Sequence, residues 1–128
     1  MVIAALVLAG VAALIHVYIF FLESIAWTGE RARRTFGFTA DEAATTKLLA
    51  FNQGFYNLFL AITTIAGIVF VAAGAVPIGA TLVFVGVGSM AAAALVLLLS
   101  APAKRAAALK QGTVPLLAVI ALVIGLSI

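Results

Sequence analysis

The placement of charge constrains this chain more than any other feature. Residues 1–22 carry no charge, and every Lys and Arg lies within 31–47 or 104–110. Apolar runs of about 18 or more residues are long enough to cross a bilayer as helices. Four such runs stand out, at about 1–22, 48–75, 78–100 and 113–128. Only 9% of the 128 residues are charged, where a soluble domain carries about 25%. The solvent for most of this surface is therefore lipid. The last run is short for a hydrocarbon core of about 30 Å at 1.5 Å per residue. It must borrow residues from before Gly112 or tilt less than its neighbours.

The connections carry the signals that start and stop helices. The first helix is expected to continue past the membrane edge to about Arg34. Arg31, Arg33 and Arg34 then fall on its last turn, where cations suit the negative end of the helix dipole. Gly37 supplies a break, and Thr39-Ala-Asp-Glu42 has the capping-box pattern, so a second helix should run from near Ala40 to about Gly74. Gly74 to Gly79, with Pro77, reads as a tight uncharged turn. The third helix runs to about Ser100, ahead of Pro102. Gly112 and Thr113 read as a stop and a new cap, with Pro115 in the first turn of the last helix.

In a four-span chain the segments 23–47 and 101–112 share one side. They hold all seven basic residues, and the positive-inside rule assigns that side to the cytoplasm. Both termini and the 74–79 turn then face out. The fold class that follows is an all-α, integral membrane, antiparallel four-helix bundle, residues 1–128 forming one transmembrane domain. The pI near 9.8 comes from a few loop cations on an acid-poor chain and does not point to nucleic acid. With no cysteine, disulfides and thiol chemistry are unavailable. The first span lacks a preceding basic segment and does not read as a cleavable signal peptide.

Helical periodicity gathers polar residues on two faces. On the first helix Ala5, Ala9, Ala13, His16, Phe20, Glu23 and Trp27 share a stripe. On the second, Gln53, Asn57, Leu60, Thr64, Gly67, Val71 and Gly74 do. Both stripes are small at the outer end and polar at the inner end. Small residues let membrane helices approach and polar side chains bond between them, so these faces should turn towards each other or the bundle interior. Gly67 and Gly74, then Gly79 and Gly86, repeat a seven-residue spacing suited to a shallow left-handed crossing.

Counting turns puts Glu23 level with Gln53 to Asn57, and His16 about 10 Å deeper, where Thr64 is the candidate hydrogen-bond partner. The result is a polar vestibule open to the cytoplasm and floored by His16. The candidate ligand-binding set is His16, Glu23, Trp27, Asn52, Gln53, Tyr56, Asn57 and Thr64. Ionisable groups within a span are costly and read as functional. The structural alternative is a neutral imidazole bonded locally, interhelical bonds from Asn52, Gln53 and Asn57, and interfacial roles for Trp27 and Tyr56. Tyr18 projects nearly opposite His16 and stays outside the pocket. One histidine and one nearby carboxylate are too few for a zinc site. No triad spacing, phosphate loop or dinucleotide fingerprint is present. No cofactor is implied.

Two blocks carry a resemblance. His16-x-Tyr18-Ile19-x-x-Leu22-Glu23 followed by Trp27, and Asn52-Gln53-Gly54-x-Tyr56-Asn57-x-Phe59-Leu60-Ala61, resemble the signature blocks of a family of small four-span membrane proteins catalogued as domain of unknown function 1304. The likeness covers nearly the whole chain. It implies four membrane helices and a bacterial inner-membrane setting, and it brings no activity, cofactor or substrate. Three functional readings follow. The first is binding or transport of a small amphipathic, lipid-like molecule in the cytoplasm-facing cleft. The second is a structural or partner-binding membrane module. The third is an enzyme on a membrane-dissolved substrate, using His16 or Glu23 as acid–base. The bilayer is the expected partner, and a homo-oligomer would shield the thin bundle further.

Overall fold

A computed structural model describes residues 1–128 and contains only helices. Helix α1 covers Val2–Phe20 and continues into a wider π turn at Phe21–Ile25. A short α2 covers Glu30–Phe36, α3 covers Ala40–Ala72, α4 covers Val76–Ser100, and α5 covers Arg105–Ser127 after one 3₁₀ turn at Pro102–Lys104. Four of these helical stretches are long and apolar enough to cross a membrane: Val2–Ile25, Ala40–Ala72, Val76–Ser100 and Pro102–Ser127.

The four long helices form a ring in which α1 lies between α3 and α5, and α4 lies between the same two. Alanine makes this closeness possible. Ala5, Ala9 and Ala12 of α1 meet Val83, Val87 and Met90 of α4 and Ala118, Ala121 and Leu122 of α5 in one buried core. Outward, Leu and Ile side chains such as Ile3, Leu48, Leu95 and Leu99 remain exposed, as a lipid-facing surface requires. The two ends of the bundle are distinct. At one end the termini meet, because a Cβ on Gly125 would lie 2.8 Å from the Val2 nitrogen. At the other end the two basic connections meet, where the Lys104 ammonium donates to the Gly37 carbonyl.

The capping box is formed: the Glu42 amide donates to Thr39 Oγ1 (3.2 Å), and the Thr39 amide donates to Glu42 Oε2 (2.7 Å). Gly37 ends α2 at φ 69°, and Gly74 turns the chain into α4 at φ 87°. At 1.5 Å per residue the 33 residues of α3 extend about 50 Å. A core of about 30 Å leaves its first turns, with Asp41, Glu42 and Lys47, standing beyond the hydrocarbon.

Two expected boundaries are corrected. The first helix does not reach Arg34. It stops at Ala26, whose φ of −113° and ψ of 24° leave the helical region, and Gly29 starts α2 as a new helix. The fourth helix is not short, because Gly112, Thr113 and Pro115 all lie inside α5. Gly112 is a contact and not a stop: a Cβ there would come within 2.4 Å of Ala94 Cβ on α4. Pro115 lacks an amide proton and so removes the bond to the Gln111 carbonyl, a loss that a buried, packed helix tolerates.

Candidate functional site

At the end of the bundle that carries the basic loops, the helices enclose a cavity of about 780 Å³. His16 and Glu23 come from α1, Trp27 from the break after it, and Phe36 and Phe38 from around the end of α2. Helix α3 contributes Asn52, Gln53, Tyr56, Asn57 and Leu60, helix α4 Met90, Ala93 and Leu97, and helix α5 Gln111. The lining therefore brings together His16, Glu23, Trp27, Asn52, Gln53, Tyr56 and Asn57. Thr64 is absent from it. Thr64 is fully buried, bonds the Leu60 carbonyl of its own helix (2.9 Å), and lies where a Cβ on Gly86 of α4 would be, 2.1 Å from its hydroxyl. It is a packing residue of the α3–α4 seam and not a partner of His16.

Glu23 sits in the π turn, closed by the Ala26 amide bonding the Phe21 carbonyl (3.0 Å). Such wide turns concentrate at functional sites because they re-aim a side chain. Helix α3 helps to fix this one. The Ser24 hydroxyl donates to the Phe51 carbonyl (2.8 Å), and Gly54 leaves room for Ser24 and the Glu23 Cβ, 3.1 Å from where its own Cβ would be. Asn57 then donates from Nδ2 to Glu23 Oε2 at 2.7 Å, a bond between two spans. Phe20 and Phe55 pack edge to face beside it, centroids 5.1 Å apart.

His16 is 2% exposed, and its Nδ1 lies 2.9 Å from the Ala12 carbonyl. A carbonyl can only accept, so in the neutral ring Nδ1 carries the proton and Nε2 is left as an acceptor. His16 is thus fixed by its own helix and does not tie two helices together. Seven residues separate it from Glu23, about 10 Å along the axis, too far for direct proton exchange between them. Nowhere in the fold do three or more His, Cys, Asp or Glu side chains gather.

The mouth is aromatic. Trp27 donates from Nε1 to Thr46 Oγ1 (3.1 Å), and its ring lies 4.2 Å from Phe38 and 5.6 Å from Phe36. The break at Ala26 is what turns Trp27 into this cluster, and the contact defines it as cavity wall. Tyr18 lies elsewhere, on a separate cavity of about 280 Å³ between α1, α2 and α5. Along the α3–α4 seam the helices are pressed together at Gly67, Gly79 and Gly86. Towards the basic end both helices line the cavity, and Gln53, Tyr56 and Ala93 on its wall are exposed.

A family profile described as protein of unknown function (DUF1304) matches residues 10–123. The chain belongs to the DUF1304 family. It is a multi-pass membrane protein with four candidate spans. No curated protein and no solved structure matches it. The DUF1304 match covers every residue of the cavity named above.

Several lining residues escaped the sequence reading. Phe36 and Phe38 flank Gly37, and their aromatic-glycine-aromatic spacing was a usable signal. Met90 interrupts an alanine-rich run, and Gln111 is a lone amide beside Gly112. Neither Met90 nor Gln111 bears on the cavity until α4 and α5 are placed around it.

Proposed function

We propose that this protein binds or transports a small amphipathic, lipid-like molecule in the cavity between α1 and α3. On this reading the cavity opens to the cytoplasm of a bacterial inner membrane, and both termini lie outside. The observation that carries the reading is one space of about 780 Å³ with an ordered polar pair, Glu23 and Asn57, against Leu60, Met90, Ala93 and Leu97. Small-molecule sites occupy about 300–1,000 Å³ and combine apolar walls with a few convergent polar groups. The head would meet Glu23, Asn57 and Gln53, and the apolar part would lie towards Leu60 and Met90.

The test is thermal unfolding of the purified protein in neutral detergent against a panel of amphiphiles. A ligand at about 100 times its Kd stabilises by about 2.7 kcal/mol, a rise of several degrees in Tm for a chain of this size. Asn57→Ala and His16→Ala should each reduce that rise for a ligand that stabilises the wild type. If both variants keep every ligand-dependent shift, the cavity is not a binding site. A structural role accounts for the local bond of His16 to the Ala12 carbonyl and for Ser24 and Trp27, which bond across segments; the ligand-dependent shifts of the variants separate it from binding.

A further inference from the structure

Within the cavity the Glu23 carboxylate and the His16 imidazole keep acceptor capacity that the protein does not use. Glu23 Oε2 takes the Asn57 amide, while Oε1 receives no hydrogen bond from the protein. The only ion pair in the chain within 4.0 Å joins Arg34 to Glu30 on α2, so no basic side chain balances Glu23. His16 Nδ1 faces Ala12, which leaves the Nε2 lone pair free. Several donors are engaged: Asn57 Nδ2 serves Glu23 and the Gln53 carbonyl, Asn52 Nδ2 the Leu48 carbonyl, Trp27 Nε1 Thr46, and Lys104 the Gly37 carbonyl. The side-chain donors of Gln53, Tyr56 and Gln111, also on the wall, have no protein partner. The other carboxylate on the wall, Glu42, is engaged by Thr39.

A carboxylate without an ion pair, set among aromatic walls, favours positive charge. We infer that the cavity takes a cationic amphiphile, an ammonium head on an apolar chain, with the head at Glu23 and the faces of Trp27 and Tyr56 nearby. Aromatic faces attract such heads through the ring quadrupole, and quaternary ammonium needs no hydrogen-bond acceptor of its own. This rests on the binding reading above and names its ligand class. The basic rim does not reverse the selection. Arg31, Arg34, Lys47 and Arg105 are exposed, and salt screens exposed charges beyond about 8 Å. Lys104, the one basic residue on the cavity wall, is held by the Gly37 carbonyl over the Phe38 ring and makes no ion pair with Glu23.

Trp27 is the only tryptophan of the chain and lines the cavity, so its fluorescence reports occupancy. The experiment titrates dodecyltrimethylammonium, its net-neutral relative dodecyldimethylamine N-oxide, and dodecyl sulfate into the full chain in zwitterionic nanodiscs in mildly alkaline buffer. The expected result is saturable binding of the cation at least tenfold tighter than either relative, with the preference lost in Glu23→Gln. That substitution keeps an oxygen for Asn57, and a melt checks that the variant is folded. If it does not fold, the wild-type order of the three probes still decides. The proposal is overturned if the N-oxide or the sulfate binds as tightly as the cation, or if folded Glu23→Gln keeps the full preference. If none of the three binds while the amphiphile panel yields a stabilising ligand, only the cationic class is lost. If the panel is also empty, the binding reading falls with it.

Discussion

At the residue scale, the Glu23–Asn57 bond is the one polar side-chain contact that joins two spans inside the cavity. Interhelical bonds in membranes average about 0.6 kcal/mol and reach about 1.7 kcal/mol, because the unfolded state in lipid also finds partners. A double-mutant cycle of Glu23→Ala and Asn57→Ala, read by reversible unfolding in mixed micelles, should give a coupling of about 0.5–2 kcal/mol. Strictly additive losses would mean the pair is not formed. Counting turns was enough to put these two residues at one height, because rise per residue is fixed. The same count failed for His16 and Thr64. Height is not direction, and both side chains take the carbonyl four residues back on their own helix, the local bond that competes with any partner across a gap.

At the scale of helices, the α3–α4 seam sets where the cavity begins. A Cβ on Gly67 would lie 2.6 Å from the Val83 nitrogen, and one on Gly79 2.5 Å from the Val71 nitrogen. Those neighbours are backbone and cannot swing aside, so Gly67→Ala and Gly79→Ala should each cost about 1–3 kcal/mol as overpacking. Gly88 is the internal control. A Cβ there meets nothing within 4 Å, and Gly88→Ala should be neutral or stabilise by up to about 1 kcal/mol through helix propensity. Equal behaviour of the three in an unfolding titration would contradict the seam. The seven-residue glycine spacing was readable in part: Gly67, Gly79 and Gly86 are contacts, whereas Gly74 lies beyond α3 at φ 87° with nothing within 4 Å of its Cβ position. Gly112 was not readable, since the same residue type serves a helix end or a helix contact, and only Ala94 on α4 decides between them. The π turn at Phe21–Ile25 was equally hidden, because the groups that brace it, Gly54 and Phe51, belong to another helix.

For the whole molecule, charge and cavity share one end. All seven Lys and Arg residues lie within 31–47 or 104–110, on α2, the 3₁₀ turn and the adjoining ends of α3 and α5, and the termini meet at the opposite end. Loop cations are retained on the cytoplasmic side during insertion, so the mouth should face the cytoplasm and the turn at Gly74 should face out. The chain has no cysteine, so single cysteines report this cleanly. With a membrane-impermeant maleimide on intact cells, Ala73→Cys and Ser127→Cys should label, and Ala103→Cys should label only after the membrane is breached. The reverse pattern would put the cavity on the outer face and end the case for cytoplasmic access. Labelling of Ala103→Cys therefore decides which aqueous side reaches Glu23 and Asn57 through the mouth.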